Sequence, residues 1–398
     1  MSKKPADFSA CLKANGVSRR SFLKFCTALA SLLALPSSAV PALSEKLRLA
    51  VRPSVIWLSF QECTGCTESL TRSHDLTIEE LMLDYLSLDY HHTFQAASGA
   101  AAEAARAQAM RRFSGRYLLL VDGAVPTANG GVYSTIAGKT NLEMLKECSA
   151  GAAAIITVGS CAAFGGLPAA SPNPTGATGV SMLMRSGQIP QKPLVNLPGC
   201  PPLPAAISGV LAHFLAFGRF PVLDDLNRPL SIYRNTVHER CSRYHFFQQE
   251  KFAQHFDDEA ARKGWCLYKL GCRGPVTHNA CAVYKWNQGT SFPIESGHPC
   301  IGCAEPGFWD QGGFYRSLDA AALAYQSGDE SAESAIEEGH QLYHDSCVYC
   351  HSVDPSGFRT DPAKIAELLR SGEIRSHRRL RFSEDQISIL DKYLRSGK

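Results

Sequence analysis

Cysteine is the residue of this sequence best suited to chemistry, with 15 copies in 398 residues. Cysteine thiolates bind zinc ions and iron–sulfur clusters, and pairs of cysteines form disulfides. An odd total is unfavourable to a framework made of disulfides alone. Most of the cysteines fall into four groups, and the spacing within each group indicates which metal or cofactor it could bind.

The first group joins one close pair, Cys63 and Cys66, to two distant single residues, Cys161 and Cys200. Four thiolates suit either a zinc ion or a 4Fe–4S cluster. Structural zinc sites usually contain two close pairs, so this spacing favours the cluster. A structural disulfide within the group is the alternative that involves no metal.

The second group combines one imidazole with three thiolates, from His238, Cys241, Cys266 and Cys272. A lone histidine is commonly a core residue, but His238 lies three positions before a cysteine and two more cysteines follow. Such a set could hold zinc or an iron–sulfur cluster. An imidazole ligand tends to raise the reduction potential of a cluster.

The third group contains Cys281, Cys300 and Cys303, with Pro293 between the first two. Three thiolates suit a 3Fe–4S cluster, or a 4Fe–4S cluster that has one ligand other than cysteine. Cys148 belongs to none of the groups, and its simplest interpretation is a small buried apolar residue.

The fourth group is the run Cys347-Val348-Tyr349-Cys350-His351. This is the attachment motif of a c-type haem, in which two thioethers hold the porphyrin and the histidine binds the iron. Cytochromes of this type commonly use methionine as the sixth ligand, but no methionine follows Met184. His377 is therefore the candidate sixth ligand. His340 and His344 are competitors, and a solvated surface position is the alternative for His377.

The first 42 residues have the features of an export leader. The run Ser18-Arg19-Arg20-Ser21-Phe22-Leu23-Lys24 is a twin-arginine signature, an apolar run over 25–40 follows, and Val40-Pro41-Ala42 is a plausible cleavage site. The alternative is an arginine pair before a buried helix. Cleavage would remove Cys11 and Cys26. Because the twin-arginine route carries folded proteins, it suits a chain that binds cofactors before export.

Short apolar runs alternate with helical stretches over residues 47–209. Continuous aliphatic runs of this kind predict a parallel sheet covered on both faces. Three of the four strands lead directly into cysteines of the first group, and ligands of such sheets bind beyond the carboxyl ends of the strands. We therefore expect these cysteines to converge. The predicted strands are Val55–Phe60, Tyr117–Val121, Ala154–Val158 and Pro193–Leu197, with a helix over Ala100–Arg112.

The rest of the chain changes character twice. Residues 220–315 are rich in proline, glycine, aromatics and cysteine with little periodicity, so metal clusters are expected to supply part of their order. Helical pattern returns after a polar linker at 320–334, and Ser383-Glu384-Asp385-Gln386 is a capping box for a last helix. Its predicted apolar face is Ile387, Leu390 and Leu394.

Two broad classes of function find no support in composition. The net charge of +3 gives no basis for nucleic-acid binding. After the leader, no apolar run reaches the roughly 18 residues of a membrane span, so we expect no transmembrane segment and any membrane attachment through a partner.

Residues 47–318 resemble the small subunit of nickel–iron hydrogenases. The motifs that carry the resemblance surround the first three cysteine groups and extend over most of that stretch. They are Glu62-Cys63-Thr64-Gly65-Cys66-Thr67-Glu68, Val158-Gly159-Ser160-Cys161, Pro198-Gly199-Cys200-Pro201-Pro202, His238-Glu239-Arg240-Cys241, Gly264-Trp265-Cys266-Leu267-Tyr268-Lys269-Leu270-Gly271-Cys272-Arg273-Gly274-Pro275 and Gly297-His298-Pro299-Cys300-Ile301-Gly302-Cys303-Ala304-Glu305-Pro306.

The resemblance implies a specific set of clusters. The first group would hold a proximal 4Fe–4S cluster, the second a distal 4Fe–4S cluster and the third a medial 3Fe–4S cluster. Pro293 stands where cluster variants have a fourth medial cysteine, which supports 3Fe–4S. The catalytic nickel–iron centre would lie in a separate large subunit, which makes this chain one half of a heterodimer that oxidises hydrogen.

The organisation expected from motifs and resemblance together is α/β in class. A twin-arginine signal peptide (1–42) precedes a flavodoxin-like parallel-sheet domain (43–215) and an irregular iron–sulfur domain (216–320). A small all-α, cytochrome c-like domain (329–398) carries the haem. Such a chain would be periplasmic and would pass electrons from hydrogen through three clusters and the haem to a soluble or membrane cytochrome.

Three other functions stay open at this point. The related subunit of quinone reductases has only a proximal-type cluster, and the groups at His238 and Cys281 argue against it. A hydrogen-sensing small subunit is expected to lack a leader and a haem. A multi-cluster electron carrier would have no catalytic partner.

Sensitivity to oxygen is a further implication of the resemblance. Oxygen-tolerant members of the family have two additional cysteines around the proximal cluster. This chain has Gly65 and Gly166 at those positions, so we expect an ordinary proximal cluster with four cysteine ligands and inactivation by air.

Overall fold

The computed structural model describes residues 19–32, 35–49, 52–73, 77–78, 85–310, 314–315, 343 and 383–396. The chain divides into two compact units, residues 1–317 and residues 318–398. The sheet region and the irregular region expected from the sequence both lie in the first unit.

A five-stranded parallel sheet occupies the centre of the first unit, as predicted. Its strand order is β2-β1-β3-β6-β7, which is the order of flavodoxin-like sheets when the sheet strands alone are counted. A small antiparallel hairpin supplies the other two strands. The strands are β1 (Ser54–Ser59), β2 (Ser87–Tyr90), β3 (Tyr117–Asp122), β4 (Thr135–Ile136), β5 (Lys139–Thr140), β6 (Ala152–Val158) and β7 (Leu194–Leu197).

Helices cover the sheet and continue beyond it. In chain order they are α1 (Arg19–Leu32), α2 (Val40–Leu49), α3 (Gly65–Thr71), α4 (Gly99–Arg112), α5 (Asn141–Ala150), α6 (Ser160–Phe164), α7 (Val180–Arg185), α8 (Pro204–Phe217), α9 (Leu230–Tyr233), α10 (Tyr244–Gln248), α11 (Glu259–Arg262), α12 (Cys281–Tyr284) and α13 (Glu384–Ser396). The helix expected over 100–112 is therefore confirmed as α4.

Alternate residues of each central strand enter different halves of the core. Val55 and Trp57 of β1 pack in the cluster that contains α8, whereas Ile56 and Leu58 pack with α4 and α5. This alternation follows from the two-residue period of a strand, and burial on both faces explains why the strands read as continuous apolar runs.

The sequence did not predict β2. Its residues Ser87-Leu88-Asp89-Tyr90 alternate polar and apolar over only four positions, because the strand lies at the sheet edge beside β1 alone. Asp89 accepts a hydrogen bond from the Ser54 hydroxyl, which ties the polar side of β2 to its neighbour. A short, half-polar edge strand gives little periodic signal.

We expected the leader region to lie outside the fold, but its described residues are packed within it. Helices α1 and α2 pack against each other and against α8, and Cys26, Leu29, Leu43 and Leu47 are at most 2% exposed. The proposed cleavage site lies in the first turn of α2, where Pro41 and Ala42 are exposed. Residues 19–32 and 40–49 thus form part of the first unit.

Residues 218–310 contain only short helices, 3-10 turns and single hydrogen-bonded bridges. The 3-10 turns include His238–Arg240, Tyr268–Leu270 and Gly274–Val276. The irregular character expected for this region is confirmed. No helix among the described residues is long and apolar enough to span a membrane.

The described part of the second unit is Tyr343 and residues 383–396. The capping box is confirmed, because Gln386 N donates to Ser383 Oγ at 3.2 Å and Ser383 N donates to Gln386 Oε1 at 2.9 Å. The predicted apolar face is buried, with Ile387, Leu390 and Leu394 between 1% and 8% exposed.

Candidate metal centres

The loop after β1 brings Cys63 and Cys66 to the carboxyl edge of the sheet. Thr64 adopts a left-handed conformation with φ 67°, and the chain then enters α3, whose first turn contains Cys66. The loop after β6 approaches this turn closely. At Gly159, which has φ 93°, an added Cβ would lie 2.3 Å from Cys66 Sγ, so only glycine fits there.

The loops that carry Cys161 and Cys200 are hydrogen-bonded to each other. Ser160 N donates to Gly199 O at 3.1 Å, and Gly199 N donates to Ser160 Oγ at 2.9 Å. Since the ends of β6 and β7 are neighbours in the sheet, these bonds extend the parallel pairing into the loops. The two single cysteines are thereby fixed beside the close pair.

The four thiols of the first group interact electrostatically. Burial, followed by the nearby Cys200 and Cys63, raises the pKa of Cys161 to about 12. Burial, Asp122, Cys161 and Cys200 raise the pKa of Cys66 well above its ordinary value. Thiols gathered in this way resist deprotonation on their own, whereas coordination of a metal deprotonates them. The residues therefore fit a cationic cluster.

Asp122 is a feature of this site that the sequence analysis missed. It ends β3, is fully buried, and accepts a hydrogen bond from Thr67 Oγ1 at 3.0 Å. Burial raises the pKa of its carboxyl to about 7. The available signal was an aspartate directly after a buried apolar strand, at the edge where the cysteines converge.

The second group is assembled from turns. His238 and Cys241 flank one 3-10 turn, and Cys272 follows another, Tyr268–Leu270. Cys241 Sγ accepts a hydrogen bond from Arg243 N at 3.4 Å. Burial raises the pKa of Cys266 to about 12, with Cys272 and Cys241 adding to the effect. The three predicted thiols of this group are therefore neighbours.

Gly274 marks the point where the second and third groups meet. An added Cβ on this residue would lie 3.4 Å from Cys272 Sγ, 3.7 Å from His238 N and 3.9 Å from Cys300 Cβ. Cys300 also contributes to the raised pKa of Cys272, after burial. The two groups are thus adjacent.

The third group connects to the first. Burial, followed by Cys303 and Cys300, raises the pKa of Cys281 well above its ordinary value. Burial raises the pKa of Cys303 to about 12, while a backbone hydrogen bond from Cys200 lowers it. The hydroxyl of Ser160 donates to the Cys303 carbonyl. The three cysteine groups consequently form a series in which the third group lies between the other two.

Within the described residues, no three His, Cys, Asp or Glu side chains converge closely enough to hold a single metal ion. Pro293 is exposed between the buried residues Phe292 and Ile294. The haem-motif residues Cys347, Cys350 and His351 lie outside the described residues, as do His340, His344 and His377.

Cys148 is fully buried, which confirms the simplest interpretation, but it is not surrounded by apolar groups alone. Arg106 Nη1 lies 3.1 Å from its Sγ, and the same guanidinium pairs with Glu103 and Glu147. This network lies among α4 and α5, and it joins two helices rather than contributing to a cysteine group.

Comparison with known proteins bears directly on these groups. The family model described as NADH ubiquinone oxidoreductase, 20 Kd subunit, matches residues 63–214, and the model for the C-terminal part of the NiFe/NiFeSe hydrogenase small subunit matches residues 233–316. The Periplasmic [NiFe] hydrogenase small subunit 1 of Nitratidesulfovibrio vulgaris is 46% identical over 307 residues, which cover 77% of this chain and 95% of that protein. The chain belongs to the small subunits of nickel–iron hydrogenases.

Further relatives of this small subunit agree. The uptake hydrogenase small subunit of Azotobacter vinelandii is 43% identical over 311 residues, 78% of this chain and 86% of that protein. A solved chain of the Ni-Fe-Se hydrogenase from Desulfomicrobium baculatum has a TM-score of 0.63 and 35% identity, covering 67% of this chain and 100% of its own length. Both family models end before the haem motif of this small subunit.

Proposed function

We propose that this small subunit relays electrons for a nickel–iron hydrogenase whose catalytic centre lies in a large-subunit partner. In this proposal the chain holds a proximal 4Fe–4S cluster, a medial 3Fe–4S cluster, a distal 4Fe–4S cluster and one c-type haem. The ligands are Cys63, Cys66, Cys161 and Cys200 for the proximal cluster, Cys281, Cys300 and Cys303 for the medial cluster, His238, Cys241, Cys266 and Cys272 for the distal cluster, and Cys347, Cys350 and His351 for the haem.

The series of three adjoining cysteine groups is the observation that carries the proposal. The first group adjoins the third through Cys200 and Cys303, and the third adjoins the second through Cys300 and Cys272. Iron–sulfur clusters supply one-electron carriers whose potentials depend on ligands, hydrogen bonds and burial. A series of such sites supports electron transfer along the chain rather than one isolated reaction.

The surrounding residues would orient the ligands and keep water away from them. The Arg243 amide donates to Cys241 Sγ, and the Cys300 thiol is 3.7 Å from Thr277 Oγ1. Hydrogen bonds to sulfur stabilise negative charge there and tune the potential. Cys281 and Cys272 are only 7% exposed, so solvent has little access to either.

The haem is proposed to take electrons from the distal end and to pass them to a cytochrome. His377 is the proposed sixth ligand, because no methionine is available after Met184. Replacing a thioether with imidazole removes the ligand that raises the potential of Met/His cytochromes. The haem would then lie at a lower potential, closer to that of the clusters.

Export by the twin-arginine route is proposed on the basis of Arg19, Arg20 and the apolar run that follows them. The clusters and the large subunit would be acquired in the cytoplasm, and the folded pair would cross together into the periplasm. Haem attachment would follow outside the cytoplasmic membrane.

One purification tests the core of the proposal. The full chain is isolated from its native host under anaerobic conditions, and nickel, iron, sulfide and covalent haem are quantified with hydrogen-dependent dye reduction. We expect a larger partner that contains nickel, and iron in the proportion that two 4Fe–4S clusters, one 3Fe–4S cluster, one haem and the iron of the nickel–iron centre require. A chain that purifies with its clusters but with no nickel partner would instead indicate a stand-alone electron carrier.

A further inference from the structure

The imidazole of His238 packs against two aromatic rings. The ring of Tyr244 has its centroid 4.9 Å from that of His238 with an interplanar angle of 81°, and the ring of Phe247 lies at 4.5 Å and 83°. Both contacts are edge-to-face, the arrangement that aromatic quadrupoles favour. The histidine ring is therefore held in one plane by neighbours on α10.

The two aromatic rings form a rigid pair. Tyr244 and Phe247 are three residues apart on α10, which places them on the same helix face. Their rings are stacked at 6.5 Å with an interplanar angle of only 10°. Two nearly parallel rings, each perpendicular to the imidazole, restrict its rotation more than one ring could.

Phe247 is in turn anchored to the loop that carries two thiols of the same group. Its ring contacts Tyr268 edge-to-face at 5.6 Å and Phe252 at 5.8 Å. Tyr268 is 4% exposed and lies between Cys266 and Cys272 in sequence. Through this contact the orientation of the imidazole is coupled to the position of the thiols.

Hydrogen bonding does not fix the orientation of this imidazole. In the part of the chain that the structure describes, neither ring nitrogen of His238 has a hydrogen-bond partner. Histidines that bind metals usually donate their second ring N–H to a carboxylate, a carbonyl or water, and that bond fixes the ring. Packing by Tyr244 and Phe247 is the observed constraint at this position.

We infer that Tyr244 and Phe247 are positioning residues that hold the His238 imidazole in the orientation required to bind the distal cluster. The inference rests on the proposed function, because it takes His238 to be a cluster ligand. Phe247, which is half-buried, fixes the ring from the protein side. Tyr244, which is 38% exposed, shields the imidazole from water on the solvent side.

A consequence for electron transfer follows from this shielding. The apolar shell around a metal site controls solvent access and local dielectric, and through them the reduction potential. Loss of the Tyr244 ring would admit water beside the imidazole, and loss of the Phe247 ring would loosen the ligand. The distal cluster should then change its potential while the proximal and medial clusters keep theirs.

The test compares three variants of the complete purified hydrogenase. Phe247→Leu removes the ring, Phe247→Tyr retains it, and Phe246→Leu removes the neighbouring ring, which packs on His245 at 4.0 Å instead. The reduced distal cluster is examined by pulsed electron paramagnetic resonance for coupling to imidazole nitrogen. A redox titration then gives the midpoint potential of each cluster.

We expect Phe247→Leu to weaken or abolish the nitrogen coupling and to shift the distal potential alone. Phe247→Tyr and Phe246→Leu should both match the wild type. Unchanged coupling and potential in Phe247→Leu would overturn the inference, as would an equal change in Phe246→Leu. If Phe247→Leu does not assemble, Tyr244→Leu replaces it, and Tyr244→Phe is the control that retains the ring. The same nitrogen coupling and distal potential are measured, with the same expected results.

The same measurements separate this inference from the proposed function. If the wild-type enzyme has no cluster coupled to imidazole nitrogen, His238 is not a ligand, and the proposed distal site is wrong together with the inference. If the wild type has that coupling and the Phe247 series does not alter it, only the inference is wrong.

Discussion

The first cysteine group and the other two are built on different kinds of backbone. Cysteines of the first group follow strands β1, β6 and β7, and the pairings of β1 with β3, β3 with β6 and β6 with β7 each continue over four or more residues. In the other two groups, Cys281 begins a four-residue helix, Cys241 and Cys272 come after 3-10 turns, and Cys266, Cys300 and Cys303 lie outside helices and 3-10 turns. Hydrogen-bonded bridges there are single pairs, such as Thr236 with His278 and Phe252 with Cys266.

This difference indicates what each region requires in order to fold. The sheet buries apolar residues on both faces, so its stability does not depend on a cofactor. A segment with isolated bridges buries less patterned surface, and bonds between metal and thiolate must supply part of its order. Cluster binding and folding are therefore coupled more strongly in residues 218–310 than at the edge of the sheet.

Removal of the clusters is the strongest test of this comparison. When an oxidant and a chelator strip the purified complex, we expect amides of β3 and β6 to keep their protection from hydrogen exchange. Amides of the Tyr268–Leu270 turn and of α12 should exchange much faster, because local opening there no longer breaks metal bonds. Mass-spectrometric exchange before and after stripping measures both regions, and equal loss of protection in the two would refute the distinction.

Gly159→Ala should disable the first site while leaving the other two intact. The added Cβ would lie 2.3 Å from Cys66 Sγ, and backbone at φ 93° resists any side chain. We expect the signal of the proximal cluster to be lost. Hydrogen-dependent dye reduction should fall at least tenfold, which corresponds to an activation free energy higher by about 1.4 kcal/mol or more.

Gly187→Ala is the matched control for backbone strain. Gly187 has φ 72°, but an added Cβ meets nothing within 4 Å. It should cost about 1 kcal/mol of stability and leave all cluster signals unchanged. If both variants lose the proximal signal, strain rather than contact with Cys66 is responsible.

Substitutions toward the oxygen-tolerant pattern should have opposite outcomes at the two glycines. Gly166 has φ 61°, and its added Cβ would lie 2.6 Å from Cys161 Sγ, whereas at Gly65 the nearest atom is Cys63 Sγ at 3.2 Å. We expect Gly166→Cys to lose proximal-cluster iron and Gly65→Cys to retain it.

The wild type should lose hydrogen oxidation under air. Sustained turnover of the wild type in air would contradict the expected oxygen sensitivity.

The fold around the first group was largely predictable from the sequence, for a physical reason. Burial on both faces makes strands such as β3 and β6 continuous apolar runs, and the cysteines directly after the strands indicate the functional edge. Strand β2 was missed because an edge strand needs only one apolar face. The packing of α1 on α8 was missed because a leader and an amphipathic helix have similar apolar patterns.

In the irregular region, cysteine spacing predicted candidate ligands but not the residues that surround them. The ring of Phe247 contacts both His238 and Tyr268, and no local pattern connects these two residues, which are 30 positions apart. The buried Asp122 was likewise missed, since its partner Thr67 lies on α3, 55 positions earlier in the chain. Contacts of this kind depend on tertiary structure, which periodicity and spacing do not encode.

A buried ion-pair network gives a smaller test of the irregular region. Arg228 is 5% exposed, and its Nε lies 2.8 Å from Asp224 Oδ2 while its Nη1 lies 3.1 Å from Glu305 Oε2. Burial alone would raise the pKa of Glu305, but hydrogen bonds from His278 and the charge of Arg228 hold it below its usual value. Arg228→Met should lower the free energy of local opening around Glu305 by about 3–5 kcal/mol.

Lys263→Met is the control for that prediction. Lys263 pairs with Glu259 at 2.6 Å, but the two side chains are 59% and 79% exposed. Exposed pairs contribute at most about 1 kcal/mol. Hydrogen exchange of the complete complex compares the two variants, and similar effects would show that burial of Arg228 is not what makes its network important.

Asp122 provides the smallest and most specific test of the sheet-edge site. Burial raises the pKa of its carboxyl from 3.8 to about 7, so between these pH values the folded chain keeps a proton that the unfolded chain has lost. The contribution of Asp122 to stability is therefore greatest at low pH and declines as the pH rises toward about 7. Asp122→Asn should remove this decline, while Thr67 keeps an acceptor. The infrared difference spectrum of the complex, wild type minus variant, should contain a band of a protonated carboxyl. This band should disappear as the pH rises through about 7. Absence of that band at low pH would show that the carboxyl stays ionised and that a nearby positive charge outweighs its burial.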